Sequence, residues 1–173
     1  MEFRFLPPDM RHIDETSAEL LACTVWSDER PLRGLAGLLD WRMSGRLSAL
    51  AKSGFLGGER GEVVMVQGKP SLPFEKLLVF GLGARADFGE EAFRGVVVRL
   101  LRALEGLRVR RAVVELPGRA DGSIDCERAA DIVLECVGDS PEHDAWWLVE
   151  EADAQRRIQQ RAQDDRRRAR RGT

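Results

Sequence analysis

Side chains that hold metals or form disulfides are scarce in this sequence, which has two histidines and three cysteines among 173 residues. His12 and His143 are far apart, so a zinc site would need the fold to bring both together with carboxylates. Cys23, Cys126 and Cys136 are odd in number and have no C-x-x-C spacing, which argues against a disulfide framework and a zinc knuckle. Cys23 and Cys126 lie in apolar stretches without an adjacent base, so we expect them to fill the core. The sequence predicts no metal, no cofactor and no catalytic residue, and His143 is interpreted as a solvated loop residue.

Long apolar runs are missing as well. None approaches the roughly 20 residues that cross a bilayer, and the first residues lack the basic start and apolar run of a signal peptide. We expect a cytoplasmic protein that does not contact a membrane. The length fits one domain with an appendage, which we divide into an α/β domain over residues 1–150 and a polar, arginine-rich C-terminal helix or tail over residues 151–173.

Charge is unevenly distributed along the chain. The net charge is −2, but residues 156–173 carry +6 and the remainder therefore carries −8. This C-terminal segment has little to bury and no aromatic residue for base stacking, and we expect an exposed, frayed helix. Its basic residues could bind nucleic acid or an acidic protein surface, or could only aid solubility. They are the candidate interaction residues: Arg156, Arg157, Arg161, Arg166, Arg167, Arg168, Arg170 and Arg171.

The pattern between residues 76 and 116 predicts a β-α-β unit. Two short apolar runs, at residues 77–80 and 112–116, suit strands buried on both faces. The segment between them has one apolar helical stripe, formed by Phe93, Val96, Val97, Leu100, Leu101 and Leu104. Asp87 and Glu90 have the spacing of a capping box, so we predict Asp87 as the N-cap residue.

The remaining elements are predicted in the same way. Strands are expected at residues 3–6, 19–26, 63–66 and 145–149, and residues 10–17 are expected to be a polar connection. Pro31 fits the first turn of a helix ending near Trp41. Further helices are expected around residues 47–53 and from 123 to 137, the last one capped by Gly138. The short link between the strands at 63–66 and 77–80 suits antiparallel neighbours, which makes the sheet mixed.

Two further features concern exposed or functional positions. Trp146 and Trp147 should point to opposite faces of their strand, so we expect one of them to be buried and the other partly exposed. Gly81-Leu82-Gly83 lies between a strand and a helix and could offer N–H groups to a phosphate. No Walker lysine follows, however, and acidic residues at the helix start would repel an anion, which favours a purely structural turn.

Several segments also occur in an order known from one family. They are the strand at residues 20–26, the run LSALAKSGFLGGERGE at 47–62, the strand and turn LLVFGLG at 77–83, and the acidic helix start that follows. Through their order and spacing, residues 20–149 resemble the N-terminal domain of the leucyl (cytosol) aminopeptidase family of two-zinc exopeptidases. The resemblance implies a macro-domain-like, three-layer α/β/α sandwich with a mixed, mostly parallel sheet.

The resemblance also sets an expectation about function. In that family the zinc ligands lie in a second domain, and its Asn-Thr-Asp-Ala-Glu-Gly-Arg signature is absent here, so no aminopeptidase activity is expected. We expect a stand-alone, non-catalytic domain that acts as a protein interaction or assembly module, with a full-length aminopeptidase or another copy of itself as partner. The alternatives are nucleic-acid binding through the basic tail and nucleotide or ADP-ribose binding at the turn from Gly81 to Gly83.

Overall fold

A computed structural model of the chain describes residues 2–138 and 145–171, with side chains for residues 3–138 and 145–168. The loop predicted around His143 lies outside these residues. In the described part six strands form one sheet in the order β1-β6-β5-β2-β4-β3. They are β1 (Glu2–Leu6), β2 (Leu20–Val25), β3 (Val63–Gln67), β4 (Lys76–Gly81), β5 (Arg111–Val114) and β6 (Ala145–Val149).

Strand directions confirm the mixed sheet. β3 pairs antiparallel with β4, as its short link predicts, and every other neighbouring pair is parallel. The unit from β4 to β5 is a parallel crossover, but its two strands are not neighbours, because β2 lies between them. β2 is therefore hydrogen-bonded to β4 on one side and to β5 on the other.

Helices cover both faces of the sheet and complete a three-layer α/β/α fold. Side chains of the first three helices pack on one face, and those of α4 and α5 pack on the other, with α6 against α5. No helix within residues 2–138 and 145–171 is long and apolar enough to cross a bilayer. The helices are α1 (Met10–Asp14), α2 (Gly34–Arg42), α3 (Arg46–Lys52), α4 (Glu90–Gly106), α5 (Cys126–Val137) and α6 (Ala152–Arg171).

The core confirms the helical stripe read from the sequence. All six predicted residues of α4 are at most 7% exposed, and they pack with inward residues of β2, β4, β5 and β6. Cys23 lies in the core on the opposite face and Cys126 lies under α6, both buried as expected. Burial raises the pKa of both thiols, so neither is a ready nucleophile.

The start of α4 differs from the prediction. The N-cap residue is Gly89, which makes no side-chain cap, and Asp87 belongs to a short 3-10 turn. Phe88 between them is extended, and its ring packs edge-on against Trp26 at 5.0 Å between centroids. This contact holds the residue outside the helix, so the capping-box spacing does not produce a capping box.

Two boundaries near the N-terminus also need correction. α2 begins at Gly34 and not at Pro31, because the segment before it is held by Arg30, whose guanidinium donates to the carbonyl groups of Trp26 and Gly57. The segment predicted as a polar connection contains α1. Its N-cap is Asp9, whose carboxylate accepts a hydrogen bond from the backbone N–H three residues later.

Trp146 and Trp147 are both buried, at 0% and 9% exposure, so the prediction of one partly exposed ring was wrong. β6 lies between β1 and β5, and both of its faces are covered. The guanidinium of Arg4 lies over the Trp147 ring at 5.1 Å and completes its cover.

Candidate functional site

The strand order creates a crevice at the C-terminal edge of the sheet. β2 and β5 are parallel neighbours, but the chain leaves β2 for α2 on one face and leaves β5 for α5 on the other. Open α/β sheets bind ligands at such a switch point. Two adjoining cavities of about 380 Å³ and 190 Å³ lie here, and both are lined by Gly34, Glu115 and Ala120. We call their union the switch-point cleft.

Glu115 lies at the bottom of the switch-point cleft, directly after β5. Only 6% of it is exposed, and its carboxylate accepts hydrogen bonds from the backbone N–H and the hydroxyl of Thr24 at 2.9 and 3.0 Å. The N–H of Leu35 in α2 also donates to it. Burial raises the pKa of Glu115 to about 7 in spite of these bonds, so the group can be neutral or charged near physiological pH. Through these hydrogen bonds Glu115 connects the end of β5 to β2 and to α2.

A second carboxylate at the cleft is neutralised by an arginine. Arg119 donates from Nε and Nη2 to the two oxygens of Glu150, at 2.8 and 2.9 Å, and both side chains are largely buried. A third nitrogen of Arg119 donates to the carbonyl of Ile124. The pair fixes the loop from Glu115 to Asp125, here called the β5–α5 loop, to the end of β6.

The smaller cavity has its own charge cluster. Arg85 forms ion pairs with Glu29 and Asp121, each at 2.7 Å, and its guanidinium lies 5.1 Å from the centre of the Trp26 ring. Arg33, which also lines this cavity, is exposed and forms no ion pair with any described residue. Among the described residues at this end of the switch-point cleft, Arg33 is thus a cation without an ion-pair partner.

Backbone donors complete the site in the β5–α5 loop. Within the described part of the chain, the N–H groups of Gly118 and Ala120 make no hydrogen bond. Gly118 has φ of +66°, and a Cβ there would collide with the ring of Phe88, so the position requires glycine on two counts. Gly118 and Ala120 both line the smaller cavity together with Gly34, the first residue of α2.

The turn from Gly81 to Gly83 has no such donors. Its three successive N–H groups donate to the carbonyl groups of Glu62, Val25 and Gly58 at 2.8–3.0 Å. A Cβ at Gly81 would overlap with the carbonyl oxygen of Glu59. The turn is packed against the neighbouring loop and is structural, so the predicted alternative of a phosphate site at this position loses its geometric basis.

The candidate arginines of the tail are placed along α6, and their environments differ. Arg157 contacts Asp125 and Glu127, and Arg161 contacts Asp131, all at 2.7–3.1 Å on α5. The proximal half of α6 is docked and not frayed, because Ala154 and Ile158 are 7% and 6% exposed against α5. Four other candidates are exposed: Arg156, Arg166, Arg167 and Arg168. The side chains of Arg170 and Arg171 lie outside the described residues.

Sequence reasoning missed Glu115, Arg119 and Arg33. A carboxylate that ends a buried apolar strand, as in Val-Val-Glu-Leu, was the available signal for Glu115. The roles of the two arginines depend on which strands are neighbours, and the sequence does not state that order. Among the described residues, no group of three or more His, Cys, Asp or Glu side chains is placed to hold a metal ion.

Comparison with known proteins decides the family. The model of the cytosol aminopeptidase family, N-terminal domain, matches residues 21–140. The chain belongs to this family. The cytosol aminopeptidase of Pseudomonas aeruginosa is 29% identical over 110 residues, which are 64% of this chain and 22% of that enzyme. The chain thus spans about a fifth of the length of the curated relatives it matches.

Solved structures agree with the fold of this family member. The tomato leucine aminopeptidase mutant K354E matches with a TM-score of 0.64 and 14% identity over 92% of this chain and 35% of that one. The Trypanosoma brucei macrodomain in complex with ADP-ribose matches with a TM-score of 0.70 and 13% identity, over 92% of this chain and 68% of that one. At these identities the matches establish a macrodomain-like fold, as the family resemblance implied.

Proposed function

We propose that this chain is a non-catalytic binding domain whose switch-point cleft takes a nucleotide-type ligand, with ADP-ribose as the first probe. The observation that carries the proposal is the pair of free N–H groups at Gly118 and Ala120, beside Arg33 and the start of α2. A phosphate is bound by such amide groups together with a nearby cation. The Trypanosoma brucei macrodomain of the same fold was solved with ADP-ribose, which supports this choice of probe.

The charges at the cleft permit an anion in spite of several carboxylates. Glu150 is paired with Arg119, and Arg85 pairs with two other acidic residues. Glu115 has a pKa of about 7, so it is not a fixed negative charge at neutral pH. Arg33 lies at the polar end of the cleft and has no ion-pair partner among the described residues, and the apolar side chains of Leu35 and Val149 line the other end. A ligand with one anionic and one aromatic end suits this division.

Calorimetric titration with ADP-ribose, ADP and ribose 5-phosphate tests the proposal. We expect saturable binding of ADP-ribose, loss of that binding in Ala120→Phe, which fills the cleft, and at least fivefold weaker binding in Arg33→Gln. Arg102→Gln, an exposed arginine on α4, should bind like the wild type. Absence of heat up to about 1 mM ligand would reject the proposal. A dissociation constant above about 1 mM corresponds to a binding free energy weaker than about −4 kcal/mol.

The non-catalytic part of the proposal needs its own assay. The family's zinc-ligand signature is absent from these 173 residues, which supports the absence of peptidase activity in this chain. Purified protein with added zinc should release no product from a chromogenic leucine amide. Metal-dependent release at a rate proportional to protein concentration would overturn this part. A cytoplasmic location belongs to the same proposal, supported by the description of the relatives as cytosol aminopeptidases.

A protein partner is the second candidate function, favoured by exposed aromatic side chains. Trp41 on α2 is 76% exposed and Phe55 after α3 is 63% exposed, and buried aromatic anchors dominate many protein interfaces. We infer that the partner is another copy of the chain or a full-length aminopeptidase of the family. Sedimentation velocity of the chain, alone and mixed with that enzyme, should show a larger species that Trp41→Ser abolishes. A monomer in both samples would contradict this inference.

A further inference from the structure

The arginines of α6 form two groups that differ in position and in contacts. Arg157 contacts Asp125, the N-cap residue of α5, and Glu127 in its first turn, and Arg161 contacts Asp131. Contacts therefore advance in the same direction along both helices, so α6 runs parallel to α5, away from the C-terminal edge of the sheet. The residues after Arg161 consequently approach and pass the end of α5 at Val137.

We call residues 162–171 the distal half of α6. Among the described residues, Arg167 and Arg168 form ion pairs only within their own helix, at 3.8 Å from Asp164 and 4.0 Å from Asp165, and their side chains are 73% and 84% exposed. Exposed pairs at such distances contribute little, so both cations remain available. Arg166 is exposed and forms no ion pair with any described residue. The sequence adds two further arginines before the helix ends at Arg171.

The composition of the distal half of α6 decides what it can bind. Apart from two alanines, it has no apolar residue and no aromatic residue, so it lacks the buried apolar and aromatic anchors that protein interfaces use beside arginine. Its arginines are spread over about 9 Å of helix, whereas DNA carries one phosphate for about every 1.7 Å of its axis. Because the rest of the chain is acidic, a polyanion is repelled from the body and attracted to this end.

We infer that the distal half of α6 binds the phosphate backbone of nucleic acid without sequence preference. The proximal half holds the helix on the body through Arg157, Arg161 and Ile158, and these side chains are occupied by α5. Binding therefore depends on Arg166, Arg167 and Arg168 and is independent of the switch-point cleft, which lies at the opposite edge of the sheet.

Fluorescence anisotropy with a labelled 20-base-pair duplex of mixed sequence, between 25 and 200 mM KCl, tests this inference. About four phosphate contacts would give a slope of about −3 to −4 for log K against log salt concentration. The triple variant Arg166→Gln, Arg167→Gln, Arg168→Gln should reduce the magnitude of that slope by about 2 to 3. Arg156→Gln is the matched control, because it removes an exposed arginine from the proximal half of the same helix and should leave the slope unchanged.

Four outcomes would overturn the inference. The first three are no binding at 25 mM KCl, an unchanged slope in the triple variant, and an equal loss in the Arg156→Gln control. Displacement of the duplex by polyglutamate at equal charge would show that the helix recognises any acidic polymer, and it would overturn the assignment to nucleic acid. Circular dichroism of each variant checks that α6 is retained.

Discussion

A single buried carboxylate, Glu115, links the architecture of this domain to pH. Its pKa is raised to about 7 in the folded protein, against an ordinary value near 4.5. Between pH 4.5 and 7 the folded state therefore keeps a proton that the unfolded state has already lost. Stability from this group is fully present below about pH 4.5 and is lost as the pH rises through 7. The shift corresponds to about 3 kcal/mol.

Glu115→Gln should remove this pH dependence. The free energy of unfolding of the wild type should fall between pH 5 and pH 8 by about 2.5 kcal/mol more than that of the variant. Urea unfolding at both pH values measures the difference. The NH2 group of the glutamine will face a donor of Thr24 or Leu35, which costs stability. This loss is the same at each pH, so it does not affect the comparison. A variant with the pH profile of the wild type would show that Glu115 ionises normally.

Two glycines with opposite surroundings make a second test at the scale of single residues. A Cβ at Gly81 would overlap with backbone of the loop at Gly58 and Glu59, so Gly81→Ala should lower the free energy of unfolding by about 3 kcal/mol. Gly95 lies in α4 with open space around it, and Gly95→Ala should raise the free energy of unfolding by about 0.5–1 kcal/mol. Denaturant midpoints of the two variants should therefore move in opposite directions from the wild type.

At the scale of elements, apolar periodicity predicted what a helix buries but not where it begins. The stripe of α4 from Phe93 to Leu104 could be read directly, because burial of one helical face leaves a 3.6-residue period in the sequence. The start of α4 depends on Phe88, which packs against Trp26 across a distance of more than 60 residues in sequence. Similarly, the burial of the two tryptophans of β6 could not be predicted, because it depends on which strands lie beside β6.

The capping of α4 gives the prediction at this scale. Gly89→Ser should raise the free energy of unfolding by about 0.5 kcal/mol, because the N-cap position is extended, has free space and lacks a side-chain acceptor. Asp87→Ala should change it by less than about 0.5 kcal/mol, whereas loss of a capping box would cost about 1 kcal/mol. Urea unfolding of both variants distinguishes the two accounts, and a large loss in Asp87→Ala would favour the sequence-based one.

At the scale of the whole molecule, local signals predicted the fold class, while the switch-point cleft needed the complete strand order. The sequence shows apolar runs, turns and one antiparallel link, which suffice for a mixed α/β sheet. It does not show that β5 lies beside β2, and that neighbour relation brings Glu115 to Thr24. A site built at a switch point is a property of topology, so no local pattern marks its residues together.

Stability should also be uneven across the whole molecule. α6 is held by partly exposed ion pairs and by a small apolar contact at Ala154 and Ile158, whereas β2 is enclosed by strands and helices. At 1 M salt the screening length falls to about 3 Å, which weakens the ion pairs. Amide hydrogen exchange within α6 should become faster than at 0.05 M salt, with no change in β2 or β4. Equal protection of α6 at both salt concentrations would mean that the apolar contact alone holds it.

The outermost parallel strand has a consequence for how the chain matures on the ribosome. Glu2 is aligned with Ala145 and Leu6 with Val149, so β1 leaves the ribosome long before β6, the strand with which it pairs. During synthesis β1 therefore has no partner strand, and a sheet with an unpaired strand is prone to aggregation. A bulky fusion placed directly before β1 would therefore hinder the pairing of β1 with β6, whereas the same fusion after α6 would not.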